Sequence, residues 1–118
     1  MQFDIIFYEA LNGRQYAQEF IDDLEIVNVN LYNVTIGLIA GLEEYQYHCL
    51  PTSKALGSGL FELKCSLGNN TCRVNWCKGG QRKVYLLNGY IKKGKNKQQR
   101  EIKKARKLIR EIRERRMI

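Results

Sequence analysis

Residues 60–91 constrain the fold most, because three strand-like runs follow one another across gaps too short for a crossover. They are Leu60 to Cys65, Thr71 to Cys77 and Lys83 to Ile91, with Gly68-Asn69-Asn70 and Gly79-Gly80 between them. Parallel strands need about a dozen connecting residues or more, so these glycine-containing turns predict an antiparallel meander. Side chains on a strand alternate between faces, which sets Phe61, Leu63 and Cys65 against Glu62 and Lys64. The same parity puts Arg73 and Asn75 together, opposite Val74 and Trp76. The last run, VYLLNGYI, is apolar on both faces at first and reads as a covered central strand.

The flanking segments supply the helices. QFDIIFY at the start has the residue types of a strand, ended by Asn12-Gly13. From Arg14 to Leu24 the residues Tyr16, Phe20 and Leu24, with Ala17, give a short helix one apolar face. Residues 29–47 repeat that signature through Leu31, Val34, Leu38, Leu42 and Tyr45, and predict the central core helix. Gly37 and Gly41 weaken a helix by about 1 kcal/mol each, which suggests a close packing contact there. Pro51 and Gly57-Ser58-Gly59 mark a connecting loop. A last helix from about Gln98 to Arg115 carries the stripe Ile102, Ala105, Ile109 and Ile112 on an otherwise basic surface, with Glu111 and Arg115 spaced for an i,i+4 ion pair.

Together these elements predict one α+β domain over residues 1–118: an N-terminal strand, two helices, a mainly antiparallel sheet and a basic C-terminal helix. The chain has 118 residues, 44% of them hydrophobic, enough for one core and too few for two. No stretch approaches the roughly 20 apolar residues that span a bilayer, and MQFDIIFYEA lacks the basic start and cleavage site of a signal peptide. A cytoplasmic protein without a membrane partner is therefore expected. Cys49, Cys65, Cys72 and Cys77 lack the paired CxxC spacing of a zinc site, and His48 is the single histidine, so free thiols acting as small apolar residues are expected.

Charge is strongly segregated along the chain. Residues 1–50 hold eight acids and one base, whereas residues 92–118 hold thirteen bases and three acids, within an overall charge of +8. Such polarity steers a polyanion to one end of the molecule, so nucleic acid is the leading partner class. The candidate chemistry lies nearby, in Lys54, in Lys64 and Arg73 on adjacent strands, and in Tyr90, Lys92 and Lys93 where the last strand ends. If Lys64, Arg73, Tyr90 and Lys92 share a face, they form a phosphate site that needs no metal or other cofactor. RNA can cleave itself when a 2′-OH attacks the neighbouring phosphate, and a protein need only align the attack, stabilise charge and move protons. Arginine suits the phosphate through its planar fork, and tyrosine can stack on a base or handle a proton. Glu62 is expected as an ion-pair partner of these cations rather than as the base.

Three segments carry a resemblance: KALGSGLFELK at 54–64, CRVNW at 72–76 and VYLLNGYIKKGKNKQQREIKKA at 84–105. Together they resemble the RelE/HigB-like toxins of toxin-antitoxin systems, particularly the phage-associated branch of that superfamily. Lys54 and Leu56 match its Lys-x-Leu element, Gly59 to Lys64 its first sheet motif, Arg73 its central arginine, Lys92 and Lys93 its paired lysines, and Glu101 and Ala105 its last helix. The resemblance implies a ribosome-dependent mRNA endoribonuclease with Lys64, Arg73, Tyr90 and Lys92 at the catalytic site. Its RNA-binding residues would be Lys54, Lys93, Lys95, Lys97, Lys103, Lys104 and Lys107. Expected partners are mRNA on the ribosome, ribosomal RNA and a cognate antitoxin, a helix-turn-helix protein with acidic character. Four positions depart from the branch: Asn88 replaces a histidine, Tyr90 a phenylalanine, Gln98 a proline and Cys72 an aromatic. The first puts a histidine base in question. A gyrase-directed toxin of the same superfamily and a non-catalytic nucleic-acid-binding module stand as the other readings.

Overall fold

The computed structural model describes residues 3–44 and 53–117. His48, Cys49, Pro51 and the expected helical residues 45–47 lie outside them. The elements are β1 (Asp4–Phe7), α1 (Tyr16–Val27), α2 (Val29–Glu44), β2 (Ser53–Gly57), β3 (Leu60–Leu67), β4 (Asn70–Lys78), β5 (Lys83–Ile91) and α3 (Lys95–Glu114). They build one five-stranded sheet in the order β1-β5-β4-β3-β2, so the α+β expectation holds. The strands β3, β4 and β5 form the antiparallel meander read from their turns. β1 joins parallel to the free side of β5, from Asp4↔Lys83 to Phe7↔Leu86.

The sheet buries both faces, each against different helices. One side packs α1 and α2 through Ala17, Ile21, Leu24, Leu31 and Leu42 onto Leu63, Cys65, Cys72, Val74, Trp76, Val84 and Leu86. The other packs α3 through Ala105, Leu108, Ile109 and Ile112 onto Leu60, Cys77, Tyr85, Leu87 and Tyr8. The parity read for Phe61, Leu63, Val74 and Trp76 is therefore correct, and β5 is covered on both faces. Among the described residues no helix is long and apolar enough to cross a membrane.

Several expectations change. Residues 53–57 are an edge strand, not loop: β2 pairs with β3 from Ser53↔Leu63 to Gly57↔Leu60, and Gly57, Ser58 and Gly59 turn it back with positive φ at all three positions. The strand has no apolar alternation because, at a sheet edge, cross-strand hydrogen bonds rather than burial hold it. α3 starts at Lys95, three residues early, behind Gly94 at φ 107°, a conformation that glycine adopts without strain. Glu111 and Arg115 do not pair directly. Both turn instead to Tyr8, just after β1, whose hydroxyl donates to Glu111 at 2.9 Å and accepts from Arg115 at 3.1 Å. Gly37 makes no close packing contact, since a Cβ there would meet open space.

Close approach occurs at Gly89 on β5, where a Cβ would lie 2.3 Å from the Phe20 ring of α1. Gly89→Ala should destabilise the protein by about 1–3 kcal/mol through overpacking, and Phe20→Ala in the same chain should recover part of that loss. Urea denaturation of the single and double variants checks the coupling, and additive effects would contradict the contact.

Candidate phosphate-binding site

α3 packs most closely on β5 and less on β4 and β3, and its side of the sheet carries polar side chains beyond that core. Cross-strand register sorts the side chains there into rows. One row runs Lys54↔Glu62↔Asn75↔Asn88 and the next Lys64↔Arg73↔Tyr90. In a third row Ser66 opposes Thr71, and the Lys92 amide donates to the Thr71 carbonyl at 3.0 Å. The register thus brings Lys54, Lys64, Arg73 and Tyr90 together on one face, with Lys92 beginning the segment beside Thr71. Lys54, Glu62, Lys64, Ser66 and Arg73, with Ser53 and Leu38, line an open cleft of about 570 Å³.

A β-bulge in β5 makes this grid possible. Asn75 opposes Asn88 while Trp76 opposes Leu86, so Leu87 is an extra residue without a partner on β4. An extra residue reverses the alternation beyond it. Tyr85 and Leu87 pack under α3, and Asn88 and Tyr90 then fall on that same side, with Gly89 turned to Phe20 of α1.

The cleft floor is an ionic network. The Arg73 guanidinium donates to Glu62 Oε1 at 2.7 Å, with side-chain exposures of 12% and 3%. Removing either partner of a buried ion pair strands the other charge at a cost of about 3–5 kcal/mol, so the two residues hold each other in place. The pair uses one of five guanidinium donors, and Arg73 Nε is buried without a hydrogen-bond partner among the described residues. Tyr90 is 2% exposed, and its hydroxyl lies 3.4 Å from Glu62 Oε2. Burial first, then the Glu62 charge, push its pKa up to about 12. The ring therefore offers no stacking face to a base, contrary to the sequence reading. Its hydroxyl stays protonated at neutral pH.

Asn88, standing where a histidine base was in question, is buried and fully committed. Its Nδ2 donates to the Glu101 carbonyl at 3.0 Å and to Glu101 Oε1 at 3.1 Å, while its Oδ1 accepts from Asn75 at 3.2 Å. Asn75 and Asn88 escaped the sequence reading as a pair, because their opposition depends on the bulge. Lys95 is exposed at the start of α3, and the other predicted cations divide between two other places. Lys93 and Lys97 line a groove between α1 and the β5 end, and Lys103, Lys104 and Lys107 line a cleft between α3 and the segment Ala10–Tyr16. Cys65, Cys72 and Cys77 are buried free thiols, with Cys65 opposite Cys72 across the strands. Burial pushes Cys77 up to about 12, which fits an inert, apolar role.

The family described as Phage derived protein Gp49-like (DUF891) matches residues 22–110, about three quarters of the chain and every residue of these rows. No curated protein matches the chain.

A raised tyrosine pKa in the folded state has a definite sign. The protonated phenol is favoured by folding, so its contribution is complete below the unfolded value of 10.0 and is lost as pH rises toward about 12. Tyr8 and Tyr85 are raised by burial as well, so their contributions too are lost as pH rises above 10.0. Stability in urea should therefore fall between about pH 10 and 12, and Tyr90→Phe should fall less steeply than the parent. Parallel curves would remove Tyr90 from the network.

Proposed function

The chain belongs to the phage-derived Gp49-like family, a toxin-like group of RelE/HigB type, and from that premise we propose that it is an endoribonuclease toxin that cuts mRNA on the ribosome. The observation that carries this reading is the row Lys64↔Arg73↔Tyr90 with Lys54 and Lys92 beside it, a cationic face at the mouth of a cleft. In the proposed reaction the 2′-oxygen of one nucleotide attacks the adjacent phosphorus and the P–O5′ bond breaks. The products are a 2′,3′-cyclic phosphate and a 5′-hydroxyl, with the 2′-proton released and a proton delivered to the 5′-oxygen. Arg73, anchored by Glu62, has donors left for two phosphate oxygens, and Lys64 and Lys92 add positive charge against the developing dianion.

Alignment and charge stabilisation would supply most of the rate. Tyr90 is protonated and buried, and Asn88 carries no titratable proton, so neither is the base. Tyr90 serves instead to hold Glu62, and through it Arg73. The ribosome's own RNA would contact Lys95, Lys103, Lys104 and Lys107, with Lys93 and Lys97 between that surface and the cleft. An acidic helix-turn-helix antitoxin would restrain the enzyme in the cytoplasm, either by covering Lys64, Arg73 and Lys92 or by seating on the acidic helices α1 and α2.

The absence of a free base among Tyr90, Asn88 and the paired Glu62 is also what a non-catalytic RNA-binding module would present. Purified protein in a translation extract separates the two, since cut transcripts support the enzyme and retardation of intact RNA supports the module. Arg73→Ala should lower cleavage by about 100- to 1,000-fold and abolish growth arrest, with smaller losses for Lys64→Ala and Lys92→Ala. Undiminished toxicity of a folded Arg73→Ala protein would remove this residue from the site. Ribosome binding should weaken steeply between about 50 and 200 mM salt, and a flat response would reduce the basic helix to a solvated surface.

A further inference from the structure

β1 covers only half of β5. Its pairing ends at Phe7↔Leu86, and the Tyr8 amide takes the Leu86 carbonyl at 3.0 Å before the chain turns away. In an antiparallel ladder, alternate residues turn both backbone groups to the neighbouring strand and the others turn both away. The Lys92 amide bonded to Thr71 fixes that alternation: residues 88, 90 and 92 face β4, and residues 89 and 91 face outward. The outward N–H and C=O of Gly89 and Ile91 therefore have no strand beside them among the described residues. They open into a groove of about 270 Å³ walled by Phe20 and Val27 of α1 and by Lys93 and Lys97. Val27 is 71% exposed, and the neighbouring Ile26 is 85% exposed.

We infer that this groove accepts an extended segment of another protein, which pairs with Gly89 and Ile91 as a sixth strand and carries alternating apolar and acidic residues. Four backbone groups in strand geometry specify a peptide backbone, the apolar walls take its inward side chains, and Lys93 with Lys97 select carboxylates at one end. A nucleic acid strand fits poorly, because Asp23 and Glu101 share the rim and oppose a run of phosphates. A second copy fits poorly too, because its own β5 edge is flanked by α1 and α3, which would collide before the edges met. The site lies on the β5 edge and does not rest on the RNA-cleavage reading.

Hydrogen exchange of the full chain, read by NMR with a blocked decapeptide of alternating valine and glutamate as probe, tests this. In the free protein the Gly89 and Ile91 amides should exchange about tenfold or more faster than those of Asn88 and Tyr90, and the peptide should slow them by about the same factor. Lys93→Glu with Lys97→Glu, and separately Val27→Asp at an exposed position, should each weaken peptide binding about tenfold. A peptide N-methylated at the edge-facing residues should not bind. The inference is overturned if the two amides are already protected in the free chain, if their protection follows protein concentration, or if the probe fails to bind. Binding of the N-methylated peptide, or perturbation confined to the Lys64 and Arg73 cleft, would overturn it equally.

Discussion

The bulge at Leu87 is the constraint on which the site depends. Before it, β5 alternates Val84 and Leu86 toward α1 and α2 with Tyr85 toward α3, and this half of the strand is ordinary core. With regular pairing of the same residues in place of the bulge, the alternation would carry Asn88 and Tyr90 under α1 and α2, and Gly89 and Ile91 under α3. Two polar groups would then sit in an apolar layer, and Arg73 would face a bare glycine region. The bulge instead aligns Tyr90 with Arg73 and Asn88 with Asn75, and turns the one residue without a side chain toward Phe20. Bulges commonly re-aim side chains beside functional sites, and here a single inserted residue both closes one core and assembles the polar floor of the cleft.

Much of the fold was legible because it rests on local pattern. The turns at residues 68–70 and 79–80, the parity of Phe61 to Cys65 and the stripe from Ile102 to Ile112 are properties of short windows, and all appear in the structure. What stayed hidden depends on residues distant in sequence. β2 carries no periodicity of its own and exists because β3 offers it a ladder. The rows of the candidate site were foreseen as a convergence of Lys64, Arg73 and Tyr90, but whether Tyr90 joined them turned on the bulge. Its burial under Glu62, which changes its chemical role from stacking to support, could not be read from VYLLNGYI, whose pattern shows no regular alternation.

Charge counting along the chain also overstates what is free to meet a partner. Arg106 donates to the Leu56 and Gly57 carbonyls, Arg113 to Ser58 and Arg115 to Glu9 and the Tyr8 hydroxyl. These three arginines tie α3 across the β2–β3 turn and to the end of β1. Planar guanidinium groups suit that work, since each can serve several carbonyls at once. Three of the five lysines of the same helix, Lys103, Lys104 and Lys107, gather beside Tyr16, with Lys104 Nζ 4.9 Å from the ring centroid. That three arginines are tied to backbone carbonyls while Arg100 and Arg110 share the lysine cleft is invisible to a count of net charge.

The parallel pairing of β1 with β5 joins Asp4 to Lys83, and so makes the beginning of the chain wait for its last third. During synthesis, the meander must be nearly complete before β1 has a neighbour, and α3, the last of the described elements, seals the second core. Contacts of such long sequence separation form late because the loop they close is entropically costly. A nascent chain from which α3 has not yet emerged therefore lacks the layer that orders Asn88. Competence thus waits on α3, so a protein whose proposed target is the translating ribosome would carry an incomplete site until that helix has emerged and docked.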